Sequence, residues 1–286
     1  MSIILKKLAL IILVAILLFS LAPEVSDAQL KRERSVTTIL AEPAFPATKN
    51  VGISTPVNPS GGDLHYSILH TFGLVDGGID RFYGLDDGAN TRLGLIYGLS
   101  DRISIGVGRM TFRKVVDIST KVSLLRQTND NSSPISIAFK GSTGISTVSG
   151  LGLEFEERLS YFTSLMFTRR LNSIGIQLTP MYSYFNRVPA QDEQHLFGLG
   201  ALLSVELNER LSLSWEYLHI LGNRNPGTSD AMAVSFNIDT GGHVFQIFFA
   251  SSQWHNEQFI MANNSDRFWE GDFRFGFNIH RVFGLF

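Results

Sequence analysis

The sequence predicts an all-β fold: an antiparallel up-and-down transmembrane β-barrel of about twelve strands. Three observations carry it. Apolar residues return at every second position over most of the chain, with polar or small residues between them. Two distant stretches nearly repeat, Leu99-Ser100-Asp101-Arg102-Ile103-Ser104-Ile105 and Leu207-Asn208-Glu209-Arg210-Leu211-Ser212-Leu213, each a short polar reversal between alternating runs, as in a hairpin. The N-terminus has the build of a secretory signal.

In that signal Lys6 and Lys7 precede an apolar run from Leu8 to Ala22. At about 15 residues the run suits a signal-peptide core and is short for a spanning helix. Ser26-Asp27-Ala28 offers small residues at a cleavage site, so residues 1–28 read as signal and the mature chain as starting at Gln29; a single anchor helix is the rival reading, and Pro23, Glu24 and Asp27 close the run too soon for it. Residues 29–62 show no sustained period, begin basic (Lys31, Arg32, Arg34) and carry Pro43, Pro46, Pro56 and Pro59. They read as an extended periplasmic lead-in, with room to fold against or into the barrel mouth.

Residues 63–286 are the barrel. Its outward residues run, strand by strand, as Tyr66, Ile68, Phe72; Leu93, Leu95, Tyr97, Leu99; Ile103, Ile105, Val107; Ile118, Val122, Leu124; Ile135, Ile137, Phe139; and Leu159, Tyr161, Leu165, Phe167. The second half continues with Ile174, Ile176, Leu178, Tyr182, Tyr184; Phe197, Leu199, Ala201, Leu203, Val205; Leu211, Leu213, Trp215, Tyr217; Met232, Val234, Phe236, Ile238; Phe245, Ile247, Phe249; and Phe273, Phe275, Phe277, Ile279. Opposite faces are polar or small throughout. A soluble sandwich alternates too. Connection length separates the two: short reversals at 100–101, 171–173, 208–209 and 240–242 interleave with long ones at 73–90, 141–157, 187–194, 222–230 and 252–271. An outer-membrane barrel has that asymmetry, with periplasmic turns short and outer loops long. Two junctions resist it: Arg113-Lys114 is short where a loop is expected, and 126–133 long where a turn is.

The chain has no cysteine, which removes disulfides, thiolate metal sites and a lipidated N-terminal cysteine. A net charge of −2 supplies no basic field for nucleic acid. The 22 Phe suit lipid-facing surfaces and the 26 Gly suit turns and a crowded lumen. The expected partners are outer-membrane lipid and, through the aromatic C-terminal residue Phe286, the barrel-assembly machinery; the alternation through Ile279 leads to Phe283 rather than Phe286.

Candidate lumen-lining charges are Arg92, Lys121, Lys140 and Arg274 against Asp117, Glu206, Glu216, Asp239 and Asp272. Charge inside a membrane implies pairing or a water-filled path. A balanced, plugged interior and a narrow, weakly selective path both fit, and no single-sign row points to strong ion selectivity. The outer-loop run Gly84 to Asn90 places Asp86, Asp87 and Asn90 as oxygen ligands for Ca²⁺ or, more simply, as a solvated turn without EF-hand spacing. Residues 141–150 read as a mobile loop, and His255-Asn256-Glu257 as an outer loop for surface or lipopolysaccharide contact. His65 and His70, at odd offset, face opposite sides; the histidines show no metal spacing and no nucleophile elbow is present, so neither cofactor nor catalytic residue is assigned. Arg109 shares outward parity with Ile105 and Val107, which places it at the outer rim.

His70-Thr71-Phe72-Gly73, Phe82-Tyr83-Gly84, Asn90-Thr91, Tyr97-Gly98 and Arg109, with Gly242-His243-Val244-Phe245-Gln246 and Gly271 to Asn278, resemble an outer-membrane β-barrel family of unknown function found mainly in Bacteroidetes-type bacteria. The resemblance implies fold and location and brings no functional residues. Together these readings give a monomeric barrel acting as a small passive or weakly selective channel. A structural or partner-binding barrel with a filled lumen is the alternative, and a lipid-acting membrane enzyme a lesser one.

Overall fold

A computed structural model describes residues 39–284; the signal-peptide reading, residues 29–38 and Phe286 lie outside them. Twelve strands form one closed barrel: β1 Asp63–Leu74, β2 Asn90–Ser100, β3 Ile103–Met110, β4 Val115–Leu125, β5 Ser136–Ser146, β6 Leu159–Leu171, β7 Ile174–Phe185, β8 His195–Glu206, β9 Leu211–Leu221, β10 Ala231–Asp239, β11 His243–Ala250 and β12 Arg274–Gly284. Each pairs antiparallel with its sequence neighbours, and β1 closes on β12 with Ile68 opposite Ile279. Closure leaves no strand edge unpaired, as a bilayer demands.

The apolar alternation faces outward, leaving Leu93, Ile105, Val107, Ile118, Phe197, Leu213 and Ile247 exposed to lipid. Phe72 stacks on Phe275 and His70 on Phe277 across the closing seam, while His65 is buried inside, as the odd offset requires. Pro180 sits within β7, where the β6–β7 ladder breaks between the Ser164–Met181 and Phe167–Leu178 pairs, since proline has no N–H to donate. Arg109 is the penultimate residue of β3, at the rim.

Both irregular junctions are real, and each has a cause. The β3–β4 reversal is tight because Arg113 and Lys114 take left-handed backbone angles (φ 56° and 48°). The β4–β5 connection is long because it pairs with the N-terminal segment: Ala41 N–H donates to Gln127 O and Asn129 N–H to Ile39 O around a Leu40–Thr128 bridge. Residues 141–146 continue β5 and are no loop; Gly141 to Ser146 pair with β4 along their length, so the mobile-loop reading fails there.

Residues 39–62 enter the lumen from that end. They make a hairpin around residues 49–54, with Asn50 N–H to Ile53 O and Thr55 N–H to Thr48 O, and return to β1 past Gly98, where a side chain would collide with Ser60 O. From the opposite end the β11–β12 connection folds inward and forms α1 Glu257–Asn263. His255, Asn256 and Glu257 are therefore 2%, 5% and 2% exposed, and the surface-loop expectation for them is overturned. The inner face is not uniformly polar either. Phe162, Met181, Leu196, Leu202, Leu218 and Ile220 of β6–β9 point inward and pack on Phe45, Ile53, Ile260 and Met261, a core that exists only because the two inserts fill the barrel.

Candidate functional site

The functional region is the contact between wall and inserts. On β9, Glu216 points inward and accepts hydrogen bonds from Asn50 Nδ2 (3.0 Å) and from the backbone N–H groups of Val51 (3.1 Å), Gly52 (2.6 Å) and Ile53 (3.3 Å). Consecutive amides aimed at one carboxylate form an anion cradle. Gly52 is needed at its centre, because a Cβ there would lie 2.7 Å from Ile260 Cδ1 and 2.8 Å from Glu216 Oε1. Across the lumen on β4, Lys121 Nζ donates to Thr48 O (3.2 Å), Thr55 O (2.9 Å) and Val57 O (2.5 Å). One wall thus grips the hairpin by its amides and the other by its carbonyls, each with the charge those groups prefer.

The inserts also hold one another. Glu257 of α1 accepts from Lys140 (3.0 Å to each oxygen), Lys49 (3.2 Å), and the amide and hydroxyl of Ser54 (3.1 and 2.5 Å). Burial by itself would raise this carboxyl, but Lys140 and Lys49 outweigh it and hold Glu257 well below the usual carboxylate range. Lys49 Nζ further donates to His255 O at 2.5 Å. Beside this knot Arg92 and Asp117 form a bidentate pair (2.9 and 2.5 Å), and Asn256 donates to Asp117 at 3.0 Å.

Arg92, Asp117, Lys121 and Lys140, all assigned to the lumen from parity, converge with Lys49 and Glu257 on a cavity of about 50 Å³ between the inserts and the β1–β5 wall. The lumen is thus split: apolar packing along β6–β9 and a hydrophilic seam along β1–β5. Four of the seam's ionic groups are cationic (Lys49, Arg92, Lys121, Lys140) and two anionic (Asp117, Glu257).

The other candidates lie apart. Glu206 pairs with Arg170 and Asp239 accepts from Gly241 N–H, both at a vestibule of about 740 Å³ on the N-terminal side. Arg274 donates to Ser251 O and Asp266 at the loop end, and Asp272 is held by Arg267 in the turn before β12 rather than on a strand. The outer-loop trio does not converge. Asp86 is exposed, Asp87 is paired with Arg81, and Asn90 is buried, donating to Gln253 O (2.6 Å) and accepting from Phe112 N–H (3.0 Å). The calcium alternative for that trio therefore has no geometry behind it. Lys49 and Ser54 escaped the sequence reading, and Asn256 and Glu257 were read as surface loop instead of lumen, because all four lie in segments without a period, where parity says nothing.

Comparison with known proteins agrees with this architecture. A family described as "Membrane bound beta barrel domain (DUF5777)" matches residues 45–283. The NanC porin is similar in structure at 10% identity, covering 78% of this chain and 100% of its own, with a TM-score of 0.50. The COG4313 outer membrane channel from Pseudomonas putida F1 is similar at 14% identity, covering 80% of this chain and 97% of its own, with a TM-score of 0.51. At these identities the likeness is one of fold. No curated protein matches the sequence.

Proposed function

The chain belongs to the DUF5777 family of membrane-bound β-barrel domains, with its place in the outer membrane, and from that premise we propose that it is a small passive channel held closed by its own N-terminal segment. The observation that carries the reading is the hydrophilic seam. A barrel that only needed filling could pack its whole lumen as β6–β9 do, whereas here one side keeps ionic side chains around a polar cavity. Buried charge is costly unless paired, so a wall that retains it supports a path for hydrated solutes. In the closed arrangement that path is a chain of small polar spaces; withdrawal of residues 39–62 would widen it along β1–β5. Two solved channels share the fold, which fits this use without assigning a solute.

The interlock of Glu216, Lys121 and Glu257 favours a second reading, a permanently filled barrel that presents its loops to a partner. Catalysis on lipid has the least support, because the carboxylates and cations of the seam are engaged with one another. Planar-bilayer recording on the refolded mature protein separates these. The channel reading expects small, infrequent conductance steps. Correctly folded, heat-modifiable protein that stays silent even when Glu216 is replaced by Ala would leave only the filled barrel.

A further inference from the structure

We propose that the hydrophilic seam holds one small monovalent anion, of the size of chloride, between the two inserts and the β1–β5 wall. The cavity of about 50 Å³ has room for such an ion with a water molecule or two. Its lining is unbalanced in charge: Lys49, Arg92, Lys121 and Lys140 face only the carboxylates of Asp117 and Glu257. These cations carry their charge. Lys121 Nζ donates to Thr48 O, Thr55 O and Val57 O, which uses every proton of the ammonium form. Lys49 and Lys140 are ion-paired with Glu257, and Arg92 with Asp117. Glu216 is held in its own amide cradle and does not line the cavity; counting it still leaves four cations against three carboxylates. Positive charge left unmatched in a lumen shielded from bulk water is costly, and an anion removes that cost.

The lining also supplies unspent donors. Gln258 of α1 is 1% exposed and lines the cavity, and its Nε2 has no hydrogen-bond partner among the described residues. Arg92 commits Nε and Nη2 to Asp117, which leaves Nη1 without a hydrogen bond among the described residues. The hydroxyls of Ser67, Ser119 and Ser142 line the same space, and each can donate. Two wall glycines make room for these groups. A Cβ on Gly94 would lie 2.7 Å from both Arg92 Nη1 and Ser67 Oγ, and one on Gly144 would lie 3.0 Å from Gln258 Nε2. The carboxylates are already matched: Asp117 accepts from Arg92 and Asn256, and Glu257 from Lys49, Lys140 and Ser54. Water would satisfy the free donors and leave the charge in excess. A halide-sized anion answers both, because hydrogen bonds to an ionised acceptor are the stronger ones.

The donors come from separate pieces of chain: Gln258 from α1, Lys49 from the hairpin, and Arg92 and the serines from the strands. The full set exists only while both inserts are docked, so the ion stabilises the docked arrangement. That linkage holds whether or not the barrel conducts.

The test uses chloride and bromide themselves. Heat-modifiability midpoints of the refolded protein are measured in sodium chloride, sodium bromide and sodium gluconate at equal ionic strength, which makes screening the same in each. The expected result is a saturable rise with chloride and bromide that is absent with gluconate, an anion too large for the cavity. Gln258→Leu, which keeps the bulk of the side chain and removes its donors, should need at least about tenfold more chloride for the same rise. Crystals grown in bromide should show an anomalous peak between Gln258 and Arg92; this measurement on the unaltered protein keeps the test decisive if the variant fails to fold. Equal midpoints in all three salts overturn the site. So does a chloride effect unchanged in Gln258→Leu, or bromide found only elsewhere in the barrel. None of these readouts requires current to flow, so the site and the channel reading can fail separately.

Discussion

Glu216 accepts from four consecutive residues of the N-terminal segment, replacing the water those donors would otherwise bind. Glu216→Ala should therefore orphan several buried donors at about 1–3 kcal/mol each, less than additively because the hairpin can withdraw. The measurable outcome is a lower urea midpoint for release of residues 39–62, together with larger and more frequent current steps. Glu257 makes the latch sensitive to acid. Its folded value lies below the unfolded one near about 4.3, so its contribution is complete above that range and is lost as pH falls through the folded value. Heat-modifiability midpoints should fall as pH drops below about 4, and Glu257→Gln should flatten that slope. Parity alone put Glu216, Lys121 and Lys140 on the inner face. Their partners were not legible, because Asn50 to Ser54 and Glu257 lie far along the chain in segments whose backbone follows no repeat.

The N-terminal segment and the β4–β5 connection act as one unit through the Leu40–Thr128 bridge. The flanking bonds, Ala41 N–H to Gln127 O and Asn129 N–H to Ile39 O, make Leu40 and Thr128 a non-hydrogen-bonded pair, with the close Cα approach that suits a disulfide. The chain has no cysteine of its own, so a Leu40→Cys/Thr128→Cys pair gives an unambiguous staple. Oxidised protein should conduct less than reduced protein if the segment must move for solute to pass; equal currents would place the conducting path elsewhere. At this scale the sequence showed that the 126–133 junction broke the short-turn rule without showing why. The reason is a strand partner drawn from a region that reads as coil, and tertiary pairing can impose an extended conformation on a proline-rich segment that no local pattern announces.

For the whole molecule, the split lumen predicts selectivity. Four cationic groups face two anionic ones in the seam, so the reversal potential under a salt gradient should show a modest preference for anions, reduced by Lys140→Met and weakened at high salt. Overall charge does not report this, since the chain is net −2 and most of its carboxylates among the described residues lie in connections or at strand ends. Twelve strands, their facing and the unequal lengths of their connections were fixed by the sequence alone, because a side-chain period of two and a lipid-facing surface constrain every strand locally. What fills the barrel was decided only in three dimensions. Residues 39–62 and α1 have no amphipathic repeat, and they acquire their places from charges on strands far away in sequence. The same wall parity would serve an open pore and a plugged one; the inserts that meet at Glu216, Lys121 and Glu257 make it the latter.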